Sequence, residues 1–159
     1  MPQSSLLKPI VIATLIAGTL DILAAFFFAG RAGVSPVGVL HFVASGPFGD
    51  RPDAGAGFAA AGLAVHYAIM TCMVTAYMIA AQRLPLLNRH WVVAGLAYGL
   101  LLWLIMYGVV RPARWPQMSL TTDPWKIADQ WFCHLILVGL PIAWVARRYL
   151  GARFWPVRP

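Results

Sequence analysis

Long apolar stretches alternate with short polar ones along this chain, and their lengths set the first expectation. Crossing roughly 30 Å of hydrocarbon takes about 20 apolar residues at about 1.5 Å of rise each. Residues 9–29, 58–81 and 91–110 meet that requirement directly. A fourth stretch opens at Thr122-Asp123-Pro124, where Asp123 can cap a helix and Pro124 fits its first turn. Its first turn is polar and belongs at the interface, so the span itself covers residues 127–149. The first stretch has the position of a signal peptide. It is too long for one, carries Asp21 and lacks a small-x-small cleavage site, so it reads as an uncleaved span.

A smaller element lies between the first two spans. Ser35-Pro36 is a helix-start signal and Gly46-Pro47 a stop signal, which predicts a helix over 36–45. At about 15 Å it cannot cross a bilayer. It reads as an interfacial or re-entrant helix over one end of a bundle, followed by a polar turn through Asp50-Arg51-Pro52-Asp53. The expected fold is therefore all-α: a single integral membrane domain over 1–159, built as a four-helix transmembrane bundle with one short helix between spans 1 and 2.

Composition supports this and removes alternatives. Hydrophobic residues make up 60% of the chain and charged residues 11%, against roughly 25% charged in a soluble domain. A water-soluble enzyme, a disordered chain and a disulfide scaffold are all excluded by that balance. The net charge of +7 suggests a nucleic-acid partner only until the cations are located. They sit in short segments between spans, where Lys and Arg orient helices in a bilayer, so no nucleic acid is expected. Cys72 and Cys133 lie inside apolar runs with no metal-type spacing and read as small core residues. Trp91, Trp115, Trp125, Trp131, Trp144 and Trp155 fall near span ends and read as an interfacial belt.

Cation placement also sets orientation. Lys8, Arg83, Arg89, Arg147, Arg148, Arg153 and Arg158 share one side, against Arg31, Arg51, Arg111, Arg114 and Lys126 on the other. The richer side is expected to be cytoplasmic and carries both termini. Asp50, Asp53, Asp123 and Asp129 fall toward the opposite, outer side. The run Arg111-Pro112-Ala113-Arg114-Trp115-Pro116 reads as a rigid turn that ends the third span and meets lipid headgroups. Its alternative role is to pair with Asp123, Asp129 or an anionic solute at the outer mouth.

Asp21 is the acid out of place, near the middle of the first span, where a charge costs roughly 2.5–3.5 kcal/mol on insertion scales. His66 in the second span and His134 in the fourth are its candidate partners. Counted from the outer ends of their spans, all three lie roughly 10–15 Å below the surface. His41, on the short helix, could reach the same region. Spacing turns two of these groups inward: Thr14, Gly18, Asp21 and Ala25 share one helix face, and Ala59, Gly62, His66, Met70, Met73 and Tyr77 another. On the fourth span Gln130, His134 and Val138 follow one another, and Pro141 should kink the helix beyond them. The third span offers Tyr98, Trp103 and Tyr107 without an ionisable partner.

Several readings of this cluster stay open. Asp21 can hydrogen-bond a histidine or a backbone group and fix helix register. The Asp21, His66, His134 and His41 set can form a proton-linked or solute-binding site, for transport or acid response. The same side chains are also suitable ligands for a haem or a divalent metal, although no H-x-x-x-H spacing occurs. No nucleophile or phosphate-loop motif is present, and the chain reads as non-enzymatic. The lipid bilayer is the expected partner, with a second copy or a larger membrane complex as further candidates.

Gly18-Thr19-Leu20-Asp21, Gly33-Val34-Ser35-Pro36 and Phe132-Cys133-His134 resemble strings in small bacterial inner-membrane proteins, the YagU-like group. That resemblance implies a four-span bacterial membrane protein with a pH-related role, and it brings no catalytic residue set.

Overall fold

A computed structural model describes residues 6–51, 54–118 and 121–151. Asp53, Arg153, Trp155 and Arg158 lie outside the described residues. All regular structure in the described part is helical. Four helices are long and apolar enough to span a membrane: α1 (Leu7–Arg31), α3 (Ala56–Arg83), α5 (Trp91–Arg114) and α6 (Pro124–Leu150). Between 17% and 33% of each span's most apolar window is buried, so most of that apolar surface faces outward. In water such a surface would aggregate; against lipid tails it is the expected exterior.

Two short helices complete the chain, α2 (Pro36–Phe48) and α4 (Pro85–Arg89). Ser35 caps α2 by accepting from the Gly38 amide at 3.2 Å, and Asp123 caps α6 by accepting from the Trp125 amide at 3.0 Å. Helix α2 outlasts its sequence stop at Gly46-Pro47. It ends at Gly49, whose φ of 78° needs a residue without Cβ. Within the polar stretch at 82–90, the Leu84-Pro85 break starts α4, where the buried Asn88 donates from Nδ2 to the Ala81 carbonyl at 2.7 Å.

Helix α6 packs against α1, α3 and α5, and α5 rests mainly on α6. Close approach of α5 and α6 depends on glycine. A Cβ at Gly95 would stand 2.8 Å from the Gly139 carbonyl oxygen, and one at Gly99 would collide with the His134 carbonyl oxygen. The bundle is solid at one end only. Ala13 and Ala17 of α1, Val74 and Met78 of α3, and Ile142, Val145 and Leu150 of α6 form a close-packed apolar core there. The opposite end, under α2, is hollow.

Both α5 and α6 widen into π-helical turns, over Met106–Val110 and Phe132–Gly139. A proline follows each: Pro112 and Pro141 lack an amide proton and crowd the carbonyl four residues back, so the preceding turns relax to wider bonding. The Arg111–Pro116 run was expected to end the third span. The helix instead continues through Pro112 to Arg114, because the π turn absorbs the proline. Cys72 and Trp115 also depart from expectation. Cys72 is exposed on α3, nearly opposite the buried Met70 face, while only Cys133 is buried. Trp115 is buried and stacks on Phe42 at 4.4 Å between ring centroids, so it is no part of an interfacial belt.

Candidate functional site

The hollow end holds a cavity of about 570 Å³. Its walls are largely apolar, contributed by α1, α2, α3, α5 and α6, and its polar groups are few and convergent. Asp21, His66 and His134 all line it. Helical rise alone accounts for their meeting, since each sits at a similar depth on its own span.

Asp21 and His66 form the tightest part. Asp21 Oδ2 stands 4.0 Å from His66 Nδ1, too far for a hydrogen bond and close enough for a strong electrostatic pairing in a low-dielectric setting. The other imidazole nitrogen, Nε2, lies 2.9 Å from the Gly18 carbonyl oxygen. A carbonyl can only accept, so Nε2 carries the proton and Nδ1 is the nitrogen presented to the carboxyl. Nδ1 and the Asp21 carboxyl are thus the two positions of the pair at which a proton can reside, 4.0 Å apart and not directly bonded to each other. The helices around the pair are stitched by Thr19 Oγ1 and Tyr67 Oη at 2.8 Å, and a Cβ at Gly18 would stand 2.9 Å from the Tyr67 ring.

His134 sits in the π segment of α6. Its Nδ1 donates to the Gln130 carbonyl at 3.0 Å, which leaves Nε2 as its free nitrogen. The Tyr107 ring meets it edge-on at 5.7 Å between centroids. Asp21 is within electrostatic reach of both His134 and His66. Three spans thus deliver three of the four sequence-named groups to one cavity.

Known protein families, curated proteins and solved structures gave no match to this chain. The site is therefore described from its own chemistry.

His41 does not join the cluster. Its Nε2 lies 3.3 Å from the Gly55 carbonyl oxygen, its ring meets Phe58 edge-on at 5.5 Å, and it does not line the cavity. The Leu40 carbonyl is seated on Gly62, where a Cβ would overlap it, and this fixes the rotation of α2 about its axis. Val39, Phe42 and Val43 consequently face the cavity, and His41 points toward the start of α3.

A metal ion finds no ready-made ligand set. Among the described residues no three His, Cys, Asp or Glu side chains are grouped to hold a metal ion. Each of the two site histidines has one ring nitrogen committed to a backbone carbonyl, His66 Nε2 to Gly18 and His134 Nδ1 to Gln130, which leaves one donor nitrogen apiece.

Tyr107, Gln130 and Arg111, named from the sequence but not assigned to the Asp–His cluster, also line the cavity. Gln130 Oε1 accepts from Trp103 Nε1 at 3.0 Å, and the Arg111 guanidinium lies over the Tyr107 ring at 5.7 Å. The Tyr107–Arg111 spacing of four was a readable signal, because it aligns both on one helical face. Gly95-Leu96-Ala97-Tyr98-Gly99 was another, a small-xxx-small motif that marks the α5 face turned to α6. The sequence-proposed pairings of the basic run also resolve differently. Arg114 pairs with Asp50 at 3.9 Å, and Asp129 pairs with Arg31 at 4.0 Å.

Proposed function

We propose that this multi-pass membrane protein binds a small solute in its outer cavity, and that binding is linked to the proton shared by Asp21 and His66. The observation that carries the reading is the orientation of His66. With Nε2 held by Gly18, proton exchange is confined to the Nδ1–Asp21 side, which faces the cavity. The titratable groups around Asp21 come from each neighbouring span: His66 on α3, Tyr107 on α5, and Cys133 and His134 on α6. Asp129 and Arg111 line the same cavity. A solute that approaches Asp21 changes the free energy of one protonation state relative to the other, and linkage then makes its affinity depend on pH. The pH-related role implied by the YagU-like resemblance accords with this.

Infrared difference spectroscopy across a pH titration tests the proposal. A carboxyl band that changes with pH, disappears in Asp21→Asn and shifts in His66→Gln is the expected result. If Asp21→Asn alters thermal stability alone and no pH-dependent carboxyl band exists, the pair merely fixes helix register and the proposal fails.

We also propose that both termini are cytoplasmic, on the cation count of the connecting segments, and that the membrane is a bacterial inner membrane, as the YagU-like resemblance implies. Leu86→Cys and Gln117→Cys, each made at an exposed position of a variant lacking Cys72 and Cys133, should react with an impermeant thiol reagent from opposite sides, the second from outside. Labelling of Leu86→Cys from outside would reverse the orientation.

A further inference from the structure

We infer that the cavity takes a single-chain amphiphile with a carboxylate head, held by Arg111. The inference rests on the cavity being a ligand site and names the class of ligand. Arg111 lines the cavity, and its Nε is buried with no hydrogen-bond partner. What it touches is the face of Tyr107. The nearby acids are engaged elsewhere: Asp129 with Arg31, Asp50 with Arg114 and Asp21 with His66. Nε itself is closed off, so an anionic head would meet the guanidinium through its Nη groups, and a permanent cation without a carboxylate partner among the described residues is the group such a head neutralises. Guanidinium geometry favours a carboxylate, which can accept two parallel N–H bonds.

The rest of the cavity selects the remainder of the ligand. Phe28, Val39, Phe42 and Ile69 offer apolar wall, and Met73 and Met106 offer unbranched side chains that adapt to a flexible chain. A volume of about 570 Å³ is that of a site for one drug-sized molecule, which suits one alkyl chain and not a two-chain lipid. The proton-bearing pair lies in the same cavity as the cation, so the head and the chain of one ligand can meet Arg111 and the Asp21 wall together.

Equilibrium binding of radiolabelled dodecanoate to the full chain in phosphatidylcholine nanodiscs tests this. Saturable binding is expected, weakened at least about tenfold by Arg111→Gln, with partial recovery in Arg111→Lys. Lys126→Gln, which removes an exposed cation of the same outer side that does not line the cavity, should leave it within about twofold. Dodecanol and dodecyltrimethylammonium should each compete at least about tenfold less well than dodecanoate. Val39→Trp, which fills the cavity from α2, gives a second variant and should abolish binding if Arg111→Gln fails to fold. Equal binding by Arg111→Gln, equal competition by dodecanol, or full competition by phosphatidylglycerol in the disc overturns the inference; the last would assign the cation to a lipid headgroup. The proton-linked reading fails separately, since the Asp21 carboxyl band is read without ligand. Dodecanoate binding that needs Arg111 while that band is absent would retain the carboxylate site and reject the proton linkage.

Discussion

Replacing Gly62 by Ala should cost about 2 kcal/mol of stability and loosen the roof of the cavity, because the methyl has no room. The new Cβ would overlap the Leu40 carbonyl oxygen and stand 2.7 Å from its carbon, where 3.4 Å is the onset of ordinary contact. The obstacle is backbone, so no side-chain rotation relieves it. Helix α2 must retreat by about an ångström or more, or tilt, and overpacking of this kind costs about 1–3 kcal/mol. At about 1.4 kcal/mol per tenfold, the folded population relative to unfolded falls roughly 30-fold. Val39, Phe42 and Val43 ride on α2, so the displacement also reshapes the cavity wall. Gly57→Ala is the matched control. A Cβ there meets nothing within 4 Å, and the position is helical, so the same substitution should be neutral or stabilise by up to about 1 kcal/mol. Reversible denaturation of both variants in mixed micelles measures the contrast. Gly62→Ala as stable as Gly57→Ala would refute the claim that a glycine seat on α3 positions α2.

Arg114 should anchor the far end of the same helix. It donates from Nε to the Gly46 carbonyl at 2.8 Å and from Nη2 to the Ser45 carbonyl, satisfying the C-terminal groups of α2. Arg114→Gln should speed amide exchange over 44–49 and lower stability by about 1–3 kcal/mol, and unchanged exchange there would contradict the anchor. Thr19→Val and Tyr67→Phe should each be mild, with a coupling of about 0.6 kcal/mol in a double-mutant cycle. A coupling of zero would mean that their 2.8 Å contact contributes nothing to the α1–α3 pairing.

What the sequence made legible follows from which physical quantities are local. Span number is legible because length and apolarity suffice, and the depth of Asp21, His66 and His134 is legible because helical rise is linear. Rotation about a helix axis is less so when a single close contact decides it. His41 was drawn toward the site by depth alone, whereas the seating of Leu40 on Gly62 turns it to Gly55. Proline was read as a stop at Pro47 and Pro112, and both helices run past it. In α5 the π turn carries the chain on, which brings Arg111 onto the cavity wall and buries Trp115 against Phe42. Periodicity could not reveal that, because the π turn breaks the period it relies on. The Gly95-x-x-x-Gly99 pair carried a signal that shows the α5–α6 crossing directly.

The account stands on Asp21 and His66 sharing one proton at the cavity wall, with His66 Nε2 fixed by Gly18. The most direct measurement is the infrared carboxyl signal of Asp21 followed with pH in the wild type, Asp21→Asn and His66→Gln. The account predicts a band that titrates in the wild type, vanishes in Asp21→Asn and titrates at a shifted pH in His66→Gln. A carboxyl signal identical in the wild type and Asp21→Asn at every pH would contradict it.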